Sequence, residues 1–297
     1  MRNQMTEETL ELSQNLVTVL NESAAAENRF KPGIYSIAAE RYHAANGVSK
    51  TMLDYLANQT PAHLQAYLMG LAKEETPAMR FGTIVHRALL EPDTYREGFH
   101  VKPEGMKLTT KAGIQWQEEH RELPIITQPE SDTIDAMVSS VHCHPFAKRL
   151  LSGCQPEQSI FVEDGHGTLR KCRLDALTKG NVIPDIKTAE SAAIDSFEKS
   201  VSRYRYHVQA AFYLDNCNLA GIQKVLFFFI VVEKTPPYLV RCLQLNGDVI
   251  QFGKSLYQRD IQIYRNCLES GRWPGWGDGY DEVALPPWEL KQAMLAA

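Results

Sequence analysis

The chain has 297 residues, of which 44% are apolar, so it is long enough to bury a sizeable hydrophobic core. Its longest apolar run, VLFFFIVV at 225–232, has the length of a buried strand and is too short for a membrane helix. The formal net charge of −5 excludes a general electrostatic attraction to nucleic acid, so such a partner would require locally concentrated basic groups.

The beginning of the chain predicts an arm attached to one domain. Residues 1–31 are polar and weakly helical, and Pro32 and Gly33 close them off, so a single domain is expected over 32–297. Acidic residues occur early, and no apolar block precedes a cleavage site, which favours a cytoplasmic protein without a membrane partner. The six cysteines occur singly, which favours small core residues over a disulfide framework.

The first half of the domain, residues 32–152, predicts helices. Ser49 is placed to cap one helix, and Pro61 suits the first turn of a second. The segment RFGTIVHRALLEP at 80–92 predicts a third helix that Pro92 ends. Residues 131–151 have helical periodicity with an acidic start and a basic end, which matches the helix dipole.

The second half, residues 153–275, predicts a catalytic core built on a sheet. Short segments rich in β-branched residues predict a three-stranded meander made of QSIFVED, TLRKCRLDAL and NVIPDIKT. A long helix follows over 192–219, then two strands, QKVLFFFIVVEK and YLVRCLQL, and a final amphipathic helix. This order of elements predicts an α/β fold in which helices flank a mixed central sheet, with the earlier helices as an N-terminal elaboration.

Two aspartates and a lysine in RLDALTKGNVIPDIKT, residues 173–188, form the main chemical pattern. A hairpin turn centred on Gly180 would place Asp175 opposite Asp185, and Lys187 shares the strand face of Asp185. Converging carboxylates need a compensating partner, and their oxygens suit Mg²⁺, or alternatively Mn²⁺. An adjacent lysine can orient water and balance charge on a phosphate. The pattern indicates phosphodiester hydrolysis, although exposed aspartates flanking a turn would give the same spacing.

Three further features are consistent with such a site. Tyr206, Gln209 and Tyr213 form one stripe on the predicted long helix, and a glutamine within a core stripe requires hydrogen-bond partners. His86 lies among apolar residues, where it is either a satisfied core group or a ligand. Glu163, on the strand before Asp175, is either an additional acid at the site or a solvent-facing residue.

Four segments together carry a family resemblance: GTIVHRALLEP, CRLDAL, PDIKTA and YRYHVQAAFYLD. They resemble the PD-(D/E)XK nuclease superfamily, within it the RecB-like branch, and most closely the exodeoxyribonuclease VIII (RecE-type) enzymes of prophages. The resemblance covers about residues 32–275 and implies a restriction-endonuclease-like core. It also implies a metal-dependent exonuclease that degrades linear double-stranded DNA from the 5′ end and leaves a 3′ overhang for recombination.

The resemblance assigns roles to residues at matching positions. Metal ligands would be His86, Asp175, Asp185 and the main-chain carbonyl of Ile186. Lys187 would position the attacking water. Gln209 and Tyr213 match a Q-x-x-x-Y motif that organises the site or contacts DNA, and the upstream Arg205 and Tyr206 are further candidates for contacts with the DNA backbone. The implied partners are double-stranded DNA ends, a single-strand annealing protein, and copies of the same chain in a ring-like homo-oligomer, with a tetramer favoured.

Other functions are also consistent with parts of the sequence. A RecB-branch nuclease with a four-cysteine iron-sulfur cluster is disfavoured because no cysteines cluster. A catalytically silent DNA-binding or scaffold protein that keeps the fold is a second alternative. An interaction module with coincidental motifs is a third. The intact set of His86, Asp175, Asp185 and Lys187 favours the nuclease over both.

Overall fold

The computed structural model describes residues 28–71 and 76–284, so all but the end of the predicted arm at 1–31 lies outside the described residues. Within them, the helices are α1 (Ala39–Ala44), α2 (Lys50–Asn58), α3 (Pro61–Leu68), α4 (Pro77–Leu90), α5 (Lys111–Glu119), α6 (Gln128–Cys143), α7 (Pro145–Leu151), α8 (Ile194–Arg203), α9 (Tyr206–Leu219) and α10 (Gly247–Ser270). The strands are β1 (Gly33–Ser36), β2 (His100–Val101), β3 (Ile125–Ile126), β4 (Gln155–Glu163), β5 (Leu169–Leu177), β6 (Val182–Ala189), β7 (Leu226–Glu233) and β8 (Val240–Gln244). No described helix is long and apolar enough to cross a bilayer.

The α/β class is confirmed, but the strands form separate sheets instead of one central sheet. One sheet has the order β1-β4-β5 and is antiparallel throughout. The other has the order β6-β7-β8 and is mixed, because β6 runs parallel to β7 and β8 runs antiparallel to it. The short strands β2 and β3 form a parallel pair of their own. Strands β5 and β6, which carry the two aspartates, are therefore edge strands of adjacent sheets.

The predicted three-stranded meander is wrong at its second connection. Strands β4 and β5 pair as expected, but β6 pairs with β7 and not with β5. On β6 the backbone groups of Pro184 and Ile186 point to the same edge, and proline has no N–H to donate. The N–H of Ile186 donates instead to the Asp175 carboxylate, with 2.7 Å between Ile186 N and Asp175 Oδ2. A side chain thus replaces the expected ladder between the strands.

The predicted helix over 192–219 is also interrupted. It forms α8 and α9, separated by Arg205 in the left-handed backbone region at φ +53°. The buried Arg205 guanidinium donates to Leu53 O and Asp54 Oδ1, both at 3.0 Å, and also pairs with Asp260. These contacts oppose the cost of a non-glycine residue in this region, about 1–3 kcal/mol. The helix predicted over residues 131–151 is divided as well. It forms α6 and α7, which are separated at His144 because Pro145 begins α7.

Two hydrophobic clusters place the region between β5 and β6 at the centre of the molecule. The larger cluster packs α2, α3, α9 and α10 against the faces of β4, β5 and β7. The other packs α4, α6 and α7 against β6 and β7, and it includes Ile84, Val85, Ala88 and Leu89 from α4. One face of α4 is thereby fixed against the second sheet. His86, between these apolar positions, lies beside the strands that carry the aspartates.

A buried lysine anchors the turn that joins β5 to β6. Lys224 is 2% exposed, and its Nζ lies 2.7 Å from the carbonyl oxygen of Thr178 and also donates to the carbonyl of Gly180. The neighbouring Val225 N–H donates to Asn181 O at 2.9 Å. The turn is therefore fastened to the segment that precedes β7.

Candidate active site

Asp175 lies at the centre of the predicted site. Its Oδ2 atom accepts the Ile186 N–H and lies 3.5 Å from His86 Nδ1. Burial acts to raise the pKa of Asp175, but His86, Lys187 and the Ile186 N–H outweigh it and hold that pKa below its ordinary value. Asp175 is thus kept ionised, and it connects α4 to β6. Ile186 contributes its N–H here, and the predicted role of its carbonyl as a ligand stays a prediction.

His86 is brought to Asp175 by α4, which Thr76 caps and Pro77 begins. Burial acts to lower the pKa of the His86 imidazole, but the Asp175 carboxylate outweighs it, so the pKa is above its ordinary value. His86 and Asp175, both expected as metal ligands, therefore lie in contact, and their role as ligands stays a prediction. A proton on His86 can balance Asp175 when no metal ion does so.

Glu157 is the additional acid next to Asp175, and it was missed in the sequence. Ligand atoms of His86, Glu157 and Asp175 all lie within 4.8 Å of one another. Glu157 occupies the position on β4 opposite Asp175, between the paired residues Pro156 and Gln158, and its backbone is left-handed at φ +52°. Burial and then the Asp175 charge raise the pKa of Glu157, and Arg173 donates to its carboxylate.

Glu163, the acid predicted from the sequence, does not belong to this cluster. It lies at the far end of β4, pairs with Leu169 and is exposed. The hairpin register could have identified the correct residue. If β4 and β5 are folded about His166, the residue opposite Asp175 is Glu157. A cavity of about 530 Å³ adjoins Glu157 and Arg173.

Asp185 and Lys187 form the second half of the candidate site, and they share a face of β6 as strand periodicity predicts. Asp185 is 1% exposed, and its Oδ2 atom lies 2.6 Å from Lys187 Nζ. Burial raises the pKa of Asp185 to about 6 against the lowering effect of Lys187, and repulsion from Asp175 adds to the increase. Burial acts to lower the pKa of Lys187, but the two carboxylates outweigh it and raise that pKa above its ordinary value. The lysine therefore carries a proton at neutral pH.

The predicted stripe on the helix is only partly assembled at the site. Gln209 is buried and donates from Nε2 to Asp185 Oδ1 at 2.6 Å, which satisfies the partner requirement of a buried amide. The Tyr206 ring lies under Lys187, with 4.9 Å from Nζ to the ring centroid. Tyr213 packs in the larger core cluster, where burial raises its pKa well above the ordinary value. The charges of Asp185 and Asp175 also act to raise that pKa, and the predicted role of Tyr213 at the site stays a prediction.

Arg205 does not fit the predicted contact with the DNA backbone. Its side chain is 8% exposed and pairs with Asp54 and Asp260 inside the protein. Removing one partner from such a buried pair costs about 3–5 kcal/mol, because the other charge is left uncompensated. Arg205 thus holds the beginning of α9 in place, and its charge is not available to a phosphate.

The cluster of His86, Glu157 and Asp175 fits a divalent metal ion by its chemistry. Two carboxylates and an imidazole provide the oxygen and nitrogen donors that Mn²⁺ accepts, whereas Mg²⁺ prefers oxygen donors. Burial and then the charge of Asp175 raise the pKa of Glu157, and a cation bound between the two carboxylates would offset both effects. Asp185 lies beside this cluster, with its oxygens directed to Lys187 and Gln209.

Comparisons with known proteins give the fold and the family of the chain. A crystal structure of a protein from Eubacterium rectale, titled "Putative exonuclease", superposes with a TM-score of 0.58 over 86% of this chain and 98% of that chain, at 15% identity. A structure of a protein named SSO0001 covers 64% of this chain and 87% of its own at 15% identity, but its TM-score of 0.26 supports no argument. No curated protein matches the sequence. Residues 49–282 match a family model that spans every candidate residue of the site, and the chain therefore belongs to the family described as "PDDEXK-like domain of unknown function (DUF3799)".

Proposed function

We propose that this protein is a metal-dependent nuclease that hydrolyses phosphodiester bonds of DNA. One observation carries the proposal: the facing edges of β5 and β6 bring Asp175, Asp185 and Lys187 together, with His86 in contact with the first aspartate. A buried and a half-buried carboxylate at one place are costly unless their charge is used or compensated. Cleavage of a charged phosphate at this site would use these carboxylates.

Lys187 acts in this proposal as a fixed positive charge. Because its pKa is raised, the ammonium does not serve as a general base at neutral pH. It can donate hydrogen bonds that orient an attacking water, and it can stabilise the negative charge that develops on the phosphate. Asp185 and the Tyr206 ring hold its Nζ atom in position. Gln209 in turn holds Asp185.

The metal ion would be held by Asp175 together with His86 and Glu157, with Asp185 as an adjacent acidic group. When bound there, Mg²⁺ or Mn²⁺ supplies Lewis-acid stabilisation of the phosphate and favours an ionised water. For this role the imidazole of His86 has to give up its proton. Asp175 assists by remaining ionised, since its pKa is held low.

The finer parts of the proposal come from the motif resemblance to RecE-type enzymes. In these finer parts, the enzyme acts on the ends of linear duplex DNA and proceeds from 5′ to 3′. The 3′ overhang that it leaves is passed to a single-strand annealing partner. A ring-like homo-oligomer, with a tetramer favoured, would also reconcile DNA binding with the net charge of −5, because basic groups can line a bore inside an acidic exterior.

The direct test is digestion of linear duplex DNA by purified protein with Mg²⁺ or Mn²⁺. Lys187→Met keeps the length of the side chain but removes its charge, and we expect it to abolish nucleotide release. Lys199→Met, at an exposed position of α8, is the matched control and should digest like the wild type. Digestion that continues in EDTA, or that Lys187→Met leaves unchanged, would overturn the proposal.

Two further measurements test its finer parts. Duplexes labelled at the 5′ or the 3′ end give the polarity, and 5′-to-3′ action should release the 5′ label first. A covalently closed circle should resist an enzyme that requires an end. Sedimentation at several protein concentrations should show a tetramer. Cutting of the circle, or release of the 3′ label first, would contradict these parts and leave a metal-dependent nuclease of another specificity.

A further inference from the structure

The break between α8 and α9 brings two tyrosine rings together. Residues two apart on a continuous helix do not face each other, so Tyr204 and Tyr206 could not stack in the single helix that the sequence predicts. The left-handed Arg205 between them turns the chain, and their rings lie 5.5 Å apart with an interplanar angle of 29°. An unfavourable backbone conformation held by buried ion pairs is an observation from which a functional hypothesis can start.

This tyrosine pair leads from the candidate catalytic lysine to the surface. The inner ring, Tyr206, packs against Phe229 at 5.5 Å and lies under Lys187 Nζ. The outer ring, Tyr204, is 49% exposed. One ring is thus fixed by the site, and the other is open to a ligand that arrives from solvent.

Positive charge lies beside the outer ring. The guanidinium carbon of Arg203, an exposed residue, is 5.5 Å from the centroid of Tyr204. Lys50 Nζ donates to the carbonyl oxygen of Tyr204 at 2.7 Å but is paired with Asp54 Oδ2 at 2.6 Å, so Arg203 is the cation offered to a ligand. An aromatic ring accompanied by an exposed guanidinium suits a nucleotide, whose base stacks on the ring while its phosphate is attracted to the charge.

We propose that Tyr204 is a stacking platform for an unpaired nucleobase of the DNA strand that lies at Lys187. A base inside a duplex has both faces covered by its neighbours, so the platform selects a frayed or single-stranded end. This inference rests on the proposed nuclease function and adds to it a substrate feature, an unpaired base close to the scissile phosphate. Tyr204 is therefore a specificity-determining residue.

The test uses a short single-stranded DNA oligonucleotide that carries 2-aminopurine, in Ca²⁺ to suppress cleavage. Stacking on tyrosine should quench the fluorescence of the probe. Tyr204→Leu should weaken binding by about tenfold and remove the quenching, since stacking is its main loss. Tyr204→Phe keeps the ring and should bind within about twofold of the wild type. Phe252→Leu is the matched control, because this exposed ring stacks on His207 instead of Tyr206, and its loss should change nothing.

Two results would overturn the inference. Wild-type affinity in Tyr204→Leu would show that no base stacks there, and equal losses in Tyr204→Phe and Tyr204→Leu would assign the effect to the hydroxyl group. Failure of the nuclease proposal is a separate outcome. If the wild type cuts DNA, and Tyr204→Leu cuts and binds DNA equally well, only the stacking platform is refuted. A protein that binds the probe through Tyr204 but never cuts refutes the nuclease alone.

Discussion

The two sides of the candidate site handle buried charge differently. On the lysine side, consisting of Asp185, Lys187 and Gln209, the carboxylate is paired with an ammonium and accepts an amide hydrogen bond. On the histidine side, consisting of His86, Glu157 and Asp175, two carboxylates lie with an imidazole, and Arg173 donates to the Glu157 carboxylate.

This difference indicates where the metal ion and the phosphate would bind. The lysine side is balanced by the protein itself, so it can hold its geometry without a ligand. The histidine side carries an excess of negative charge once the imidazole is neutral, so a cation is favoured there. A phosphate is then attracted to the boundary between the two, where Lys187 and the cation are both near.

The largest effect is expected from Asp175→Asn, because Asp175 contacts His86 and also accepts the Ile186 N–H of the strand that carries Asp185 and Lys187. Loss of its charge removes a metal donor and weakens the link to Ile186, so the nuclease rate should fall by more than about a hundredfold. Endpoint digestion and circular dichroism would measure activity and folding together. Asp132→Asn, at an exposed position of α6, is the control. A folded Asp175→Asn enzyme with normal activity would contradict the central role of Asp175 in the site.

Glu157→Gln should separate the histidine side from the lysine side. Removing this donor is expected to weaken Mn²⁺ binding by about 10-fold to 100-fold, as measured by calorimetry. Glu163→Gln is a close control, since it is a glutamate on the same strand that lies outside the cluster. Equal affinities in the two variants would mean that the cation does not use Glu157.

Gln209→Met tests the lysine side without changing a charge. Loss of the bond to Asp185 Oδ1 should lower the nuclease rate by about tenfold and raise the pKa of Asp185 further. The pH at which activity is half maximal should therefore move upward, which a loss of packing alone would not cause. An unchanged pH profile with a lower rate would assign Gln209 a purely structural role.

The smallest effect concerns pH. A carboxyl with a pKa of about 6 takes up a proton in weakly acidic solution, so protonation of Asp185 beside the cluster should reduce metal affinity, by at most about twofold at pH 6 and about tenfold at pH 5. His86 acts in the same direction because its raised pKa retains a proton that the metal must displace. Calorimetry in buffers of different ionisation enthalpy would count the protons released. No proton release near pH 6 would contradict both assignments.

Local sequence signals predicted most elements of the fold but not how they pair. Apolar runs located β7 and the final helix, and Ser49 caps α2 as expected, with its side chain accepting from Met52 N. The pairing of β6 with β7 instead of β5 depends on contacts between distant segments. The break at Arg205 depends on Asp260, 55 residues away, so no local pattern could have revealed it.

Residues of the candidate site were located better where side-chain periodicity decides their position than where the backbone does. Strand periodicity placed Lys187 on the face of Asp185, and helix periodicity placed Gln209 in a stripe that reaches Asp185. Asp175 lies near them across two unpaired strand edges and not through the expected hairpin. Glu157 was missed because it lies at an irregular point of β4, with a left-handed backbone that strand periodicity does not describe. Arg205 was misassigned because its charge looked available until the fold buried it.

The buried Lys224 beneath the turn between β5 and β6 affects how catalysis would be organised. Because Lys224 holds the loop at Thr178 and Gly180, the loop has little freedom to act as a hinge. The spacing between the two strands that carry the carboxylates is therefore fixed. Little reorganisation is then needed when a substrate enters, and the free energy of binding can be directed to the reaction instead of to closing the site. An amine with no part in the chemistry would thus contribute to the rate.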